Sequence, residues 1–449
     1  MQQGINSEVR IAKMKSSSPF YNTMILFLEK IVSMVLVLGT TIILARMLGP
    51  YEYGLINYLI SVVTILIPFG ALGLNSVITN EIIERSKMEE KILGTSLVLR
   101  FFGVCIISIC TYLLSALMLT AYEQNLLTVL VFGNLFTCLY VFDFWIQAKM
   151  MNKYSSILRF GTILFGSLAK IICVFLGMNI EHLVYIYAIE VAIIGIGFYI
   201  VYSINSNKIK NLSFSLSEAK SLLTRSLWLM LSGVAAVIYL KIDQVMLGEM
   251  SGKYEVGIYS VATKLSEVWY FFPVAFVTSI FPKLISKKKS GEGYLNALQF
   301  SSNILFLSSV TLSIIITFLS DDIISILYGV EYLESSNILK IHIWASLFVF
   351  MQALLQKWLI MEKYYNISLL SQLSGAIVNI ILNYIFIPKY GAIGSAWATL
   401  FSYMFCSFIV IGCFGRTRVI FKCFVKSFAF PFLLLIKKEK LQYHFLFEK

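Results

Sequence analysis

Charged side chains recur inside long apolar stretches of this sequence, and their types define the chemistry available there. Glu29 and Lys30, Arg100, Asp143, Lys170, Glu190, Lys241 and Asp243, Lys264 and Glu267, and Lys357 fall within or near the ends of such stretches. A charge at the centre of a bilayer costs at least about 2.5–3.5 kcal/mol on insertion scales, so such a group faces a bundle interior or a wet cavity. Lys30, Lys170, Lys241 and Lys264, with Arg100 nearer a span end, offer cations to an anion such as a phosphate or diphosphate. The acids Glu29, Asp143, Glu190, Asp243 and Glu267 can act as ion-pair partners or as carriers of a coupling ion or proton, with Glu190 and Glu267 first among the proton candidates. Lys264 and Glu267 are three apart and share a helix face, whereas Lys241 and Asp243 are two apart and do not. For any one of these residues, structural pairing between helices is the competing explanation. Trp145, Trp269 and Tyr270 lie beside Asp143 and Glu267. They suit stacking on a sugar, or else membership of the interfacial aromatic belt.

The elements that must hold these groups are membrane helices. Of 449 residues, 58% are hydrophobic and 13% charged, against roughly 45–50% and 25% in soluble chains. The apolar residues come in blocks about twenty long, enough to cross the hydrocarbon core. Twelve spans are expected near 22–47, 54–78, 94–119, 125–148, 157–178, 182–203, 222–248, 256–281, 297–319, 338–361, 366–387 and 391–414. The fold class is therefore an all-α polytopic membrane protein with two six-helix bundles, at 1–203 and 222–415, joined by a linker at 204–221. Residues 416–449 form a basic tail in which Val419–Ile436 is apolar but carries Lys422, Lys426 and Pro431. That composition suits an interfacial helix, and a thirteenth span is the alternative. The polar, basic start of the chain shows no cleavable signal peptide.

The net charge of +12 does not imply a nucleic acid partner, because Lys and Arg cluster in alternate loops. Arg85, Lys87 and Lys91, then Lys149 and Lys153, then Lys283 and Lys287–Lys289 fall on one side; Glu123, Glu181, Asp321 and Glu331 fall on the other. The Lys/Arg excess marks the cytoplasmic side and places both termini there.

The chain nearly repeats itself. Gly49-Pro-Tyr-Glu-Tyr-Gly54 follows the first span and Gly252-Lys-Tyr-Glu-Val-Gly257 follows the seventh, an offset of 203 residues. Pro68 and Pro273 sit in the second and eighth spans, within two residues of that offset. Parallel halves of this kind usually place a transport site between them.

Other chemistry lacks a signature. His182, His342 and His444 are isolated, the seven cysteines have no metal-ligand spacing, and no phosphate-binding GxxxxGK[ST] or GxSxG elbow occurs. Nothing in the sequence calls for a metal or other cofactor, or for an enzyme.

Four segments carry a family likeness. They are Asn22–Lys30 with Leu44–Gly54, Tyr239–Gly248, Val256–Tyr270 and Tyr390–Thr399. Together they resemble the Wzx-type polysaccharide flippases, the polysaccharide-transport branch of the multidrug/oligosaccharidyl-lipid/polysaccharide (MOP) exporter superfamily. The resemblance implies a bacterial inner-membrane protein of twelve helices working by alternating access. Its implied substrate is an undecaprenyl-diphosphate-linked oligosaccharide, such as an O-antigen unit of lipopolysaccharide, flipped from the cytoplasmic to the periplasmic leaflet with proton or sodium coupling by antiport. A cationic lumen at Lys30, Lys241 and Lys264 follows from the same likeness, as do a polysaccharide polymerase and a chain-length regulator as partners. A drug/cation antiporter of the same superfamily and an integral-membrane polymerase are the alternatives. The first should have a net acidic lumen and the second a large outer loop.

Overall fold

The structure is a computed structural model that describes residues 19–206 and 211–436, and no strand occurs among them. Its main helices, in chain order, are α1 (Pro19–Ala71), α2 (Leu74–Glu84), α3 (Glu89–Met118), α4 (Ala121–Asn134), α5 (Val141–Ala148), α6 (Asn152–Phe175), α7 (Ile180–Ser206), α8 (Leu216–Met250), α9 (Lys253–Glu267), α10 (Phe271–Ser290), α11 (Tyr294–Tyr328), α12 (Glu334–His342), α13 (Ala345–Met361), α14 (Tyr365–Met404) and α15 (Arg418–Ile436).

Ten helical segments among the described residues are long and apolar enough to cross a membrane. Two of them break at a glycine: α1 at Gly49 and α14 at Gly391. Each piece is long enough, at about 1.5 Å per residue, to span the hydrocarbon layer. Counting the pieces yields the twelve crossings expected from sequence. Gly49 (φ 72°, ψ 171°) and Gly252 (φ 96°, ψ 170°) adopt nearly the same backbone at the two copies of the repeat. Only glycine enters that region without steric cost, which is why both copies keep it.

Gly49, Gly252, Gly329 and Gly391 each lead from one crossing to the next and lie on one face, here called the turn face. The opposite, basic face carries the Lys- and Arg-rich loops. Near the turn face a single apolar core joins both halves of the chain, through Leu44, Leu59, Leu126, Val256, Val261 and Leu339. Towards the basic face the core divides. One part is built from the first half together with Leu222, the other from the second half alone. The halves thus share one apolar core at the turn face, while towards the basic face each has its own core and they meet through α8.

Helix α15 does not lie apart as an interfacial helix. Phe424 and Cys423 enter the second-half core, and Ser427 bonds Ser302 (2.8 Å) and Asn303 (2.7 Å) of α11. Interhelical hydroxyl and amide bonds of this kind hold helices together where lipid offers no partner. The order of these contacts makes α15 run parallel to α11, from the basic face into the bundle. Residues 437–449 lie outside the described residues.

Candidate functional site

Two seams join the halves, and the repeat found in sequence builds the first. On the turn face a Cβ at Gly54 would overlap the Lys253 carbonyl oxygen, and a Cβ at Gly257 would overlap that of Pro50. Since Gly54 matches Gly257 and Pro50 matches Lys253 at the 203-residue offset, the contact is reciprocal: each copy of the motif packs on the other. Tyr58 donates to Glu249, Ser61 donates to Gln244, and Tyr332 donates to the Ala45 carbonyl at 2.9 Å. Lys253 lies 3.8 Å from Glu123 and 3.4 Å from the centroid of the Tyr58 ring.

On the basic face charge does more of the joining. Arg85 reaches Glu218 at 3.0 Å, and both Arg85 and Arg225 pair with Glu81. The Glu218 hydrogen bonds push the Arg85 guanidinium above its ordinary pKa. Gly73 sits against the α8 backbone at Met230 and Ser226.

Between the seams lies Lys264. From α9 its Nζ donates to Tyr53 Oη (2.7 Å) and Asn57 Oδ1 (2.8 Å), both on α1. The cation thus bridges the two halves at depth. Lys241, Lys170 and Glu267 interact with it electrostatically. Lys241 and Glu267 are half-buried and make no hydrogen bond or ion pair among the described residues. Immediately after Glu267 the helix tightens into a 3₁₀ turn, Val268–Tyr270. The turn aims Glu267 and Tyr270 at a small polar cavity, also lined by Asp243, Tyr259, His342 and Thr399. Trp269, on the same turn, is exposed.

Asp243 is the buried acid of that cavity. Its carboxylate accepts from Tyr259 Oη (2.7 Å), Thr399 Oγ1 (2.5 Å) and Asn383 Nδ2 (2.7 Å). Three neutral donors satisfy it, and no cation pairs with it among the described residues. Tyr239 and Tyr270 present buried hydroxyls there without a protein partner. Sequence reasoning missed Tyr53, Asn57, Asn383 and Thr399, all uncharged. Their signal was polarity inside a span, with Asn379 and Asn383 spaced by one helical turn.

The other expected site residues have partners of their own. Lys170, within electrostatic reach of Lys264, pairs with Glu190 at 2.7 Å and lies over the Tyr187 ring. Asp143 accepts from Ser155, Gln147 (2.8 Å) and Arg159 (2.5 Å), well away from the cavity. Trp145 is buried, donates to Glu89 at 2.5 Å and packs edge-on to Tyr202, so no ring face is free for a sugar. Lys30 is exposed, and the Glu29 side chain lies outside the described residues. Arg100 is buried in the first half, apart from Lys264.

Two halves packed about a deep polar seam define a multi-pass, all-helical membrane protein of the MOP fold. The fold is that of a lipid II flippase MurJ in an inward closed conformation (TM-score 0.70, 17% identity, 94% of this chain and 95% of that one). An inward-facing multidrug MATE transporter also shares it (TM-score 0.63, 13% identity, 91% and 96%). The family model described as polysaccharide biosynthesis protein matches residues 20–288, more than half the chain, and this protein belongs to that family. A second model, MatE, matches residues 229–385. Among curated relatives, the probable flippase AglR of Haloferax volcanii is 29% identical over 249 residues, covering 53% of this chain and 50% of its own. The capsular polysaccharide biosynthesis protein CapF of Staphylococcus aureus is 28% identical over 160 residues, covering 34% and 40%. The chain thus spans no more than half the length of either relative.

Proposed function

We propose that this protein is a flippase for a lipid-linked glycan, working by ion-coupled alternating access. The observation that carries this reading is Lys264, a deep cation shared between the two halves, with Lys241 beside it. A diphosphate bridging sugar and lipid is the group such a cation pair would hold as it crosses the bilayer. The substrate class is an undecaprenyl-diphosphate-linked oligosaccharide, moved from the cytoplasmic leaflet to the opposite one in a bacterial inner membrane. The basic face is then cytoplasmic by its Lys/Arg excess. Fusion of the halves at the turn face supports a conformation closed to the outside.

The cavity beside Asp243 has room for no more than about one water-sized group. It admits a proton or a bare monovalent cation and no glycan, so the glycan must pass elsewhere along the seam between the halves. Asp243, with its ring of oxygen-bearing neighbours, suits a hard monovalent cation or a proton as the coupling ion.

The MatE match and the buried carboxylate favour a second reading, a drug/cation antiporter. Reconstituted vesicles separate the two. The flippase reading expects transfer of a fluorescent lipid-linked glycan, with Lys264→Ala lowering the rate about 10–150-fold, the worth of one or two charged hydrogen bonds of roughly 1.5–3 kcal/mol. Cation efflux without glycan transfer would establish the antiporter instead.

A further inference from the structure

Helix α15 lies beyond the twelve crossings, and the seam between the halves makes no use of it. Its described side chains sort into two faces. Ile420, Cys423, Phe424 and Ser427 are buried, and they pack into the second-half core or bond to α11. Arg418, Val419, Lys422, Val425, Lys426 and Ala429 are exposed, and their spacing puts them in one stripe along the opposite side. Three cations four residues apart thus stand on the face turned away from α11. Residues 418–436 include no Asp or Glu. The three cations make no ion pair among the described residues, and Glu362, near the basic-face end of α11, is taken by Lys288 at 2.8 Å.

Contacts with α11 set the depth of each cation. Gln299 donates to the Cys423 carbonyl (3.0 Å), and Ser302 bonds Ser427 (2.8 Å). The two helices run parallel, so this register sets Arg418 level with Tyr294, the first residue of α11. There Tyr294 Oη accepts from Trp358 (2.9 Å) and donates to Glu362 (3.4 Å), an aromatic and ionic cluster of the kind that marks a membrane interface. Lys422 and Lys426 follow one and two turns further in, by about 6 and 12 Å. Helical side chains lean towards the helix N-terminus, which for α15 is the basic face. Both ammonium groups are therefore carried back towards the headgroups on their apolar stems, and Val425 and Ala429 are left facing hydrocarbon. The first turn of α15 holds no acid and is entered through exposed Arg416, so the helix N-terminus adds to the positive field there.

A Lys or Arg on the outside of a membrane helix needs water or a counter-charge, and cations beside a membrane surface draw anionic headgroups. We propose that the outer face of α15 binds an anionic phospholipid of the basic-face leaflet. Its phosphate sits between Arg418 and Lys422, Lys426 reaches the same headgroup from below, and an acyl chain lies along Val425 and Ala429. A membrane helix of a partner protein suits this face less well. Close helix approach relies on small or hydrogen-bonding side chains. On α15, Cys423 and Ser427 are turned to α11, whereas the outer face presents mainly Val, Lys and Arg. The bound lipid neutralises α15 and holds it docked on α11, whatever the protein transports.

The test is native mass spectrometry of the full-length protein titrated with phosphatidylglycerol or with phosphatidylcholine of matched chains, with thermal unfolding in detergent recorded for each variant. Wild type should bind its first phosphatidylglycerol at least tenfold more tightly than phosphatidylcholine. Arg418→Gln/Lys422→Gln/Lys426→Gln should remove that preference, and Arg418→Gln alone, a milder change to the fold, should weaken it. Lys422→Arg/Lys426→Arg keeps the charge and should retain the preference. Lys153→Gln, which removes an exposed cation of the basic face outside α15, should bind as wild type does. An undiminished preference in the triple Gln variant would overturn the site, and so would equal binding of the two lipids by wild type. Loss of the preference in Lys153→Gln would show a diffuse surface charge and overturn it too. A co-purifying membrane protein that excludes the lipid from wild type, and is itself lost in the triple Gln variant, would replace the lipid by a partner helix.

Discussion

The deep charges of the first half and those of the second follow different rules. In the first half, Lys170 meets Glu190, Arg159 meets Asp143 and Lys149 meets Glu89, each within 2.7 Å. In the second half, Asp243 is held by neutral donors, Lys264 by a phenol and an amide from the other half, and Lys241 and Glu267 by no direct contact among the described residues. Paired charges cancel and stabilise a bundle. Charges without a direct ion pair, beside a cavity and a seam, are available to something that arrives and leaves. Under the proposed function, the paired ionic residues of the first half hold the bundle together and those around Lys264 take part in transport.

That contrast can be broken most sharply at Lys170 and Glu190. Glu190→Gln alone should destabilise the protein by about 3–5 kcal/mol, since it strands a buried cation. The double variant Lys170→Met/Glu190→Met should recover most of that loss and still transport. Thermal unfolding and vesicle transport measured together would check this, and an inactive but stable double variant would move the pair into the transport machinery.

Asp243→Asn tests the opposite side. It keeps the shape and a hydrogen-bonding side chain, so stability should change by only about 1–2 kcal/mol. Transport should instead lose its dependence on an imposed sodium or proton gradient. A variant that still follows the gradient would remove Asp243 from the coupling role. The smallest effect belongs to Arg159→Gln, because the Arg159 side chain is half exposed and Asp143 keeps two other donors. A cost below about 1 kcal/mol is expected, with transport unchanged; a transport defect would show that Asp143 serves more than the packing of α5 on α6.

Much of this was legible in the sequence because membrane helices announce themselves locally. Block length fixes the spans, and the Gly-x-Tyr-Glu-x-Gly repeat at an offset of 203 marks both turn-face corners. The twelve crossings follow from those two signals. The site was legible only as a list of charges. Asp143, Lys170 and Glu190 look as functional in sequence as Lys264 does, since depth is visible there and partners are not. The last spans carry almost no deep charge in the sequence, yet α14 supplies Asn383 and Thr399 to Asp243. Neutral polar ligands have no signature until something is seen to bind them.

The sequence alone determined that this chain is a bundle of membrane-crossing helices in two similar halves. Apolar runs and glycine turns act within a few residues of themselves, and the bilayer forces helix on every such run. Only the tertiary structure decided which charges neutralise one another, which stand beside a cavity, and that the two repeat motifs pack on each other. Those outcomes depend on contacts between residues some 200 positions apart, such as Gly54 with Lys253 and Tyr53 with Lys264. No local pattern encodes such a distance.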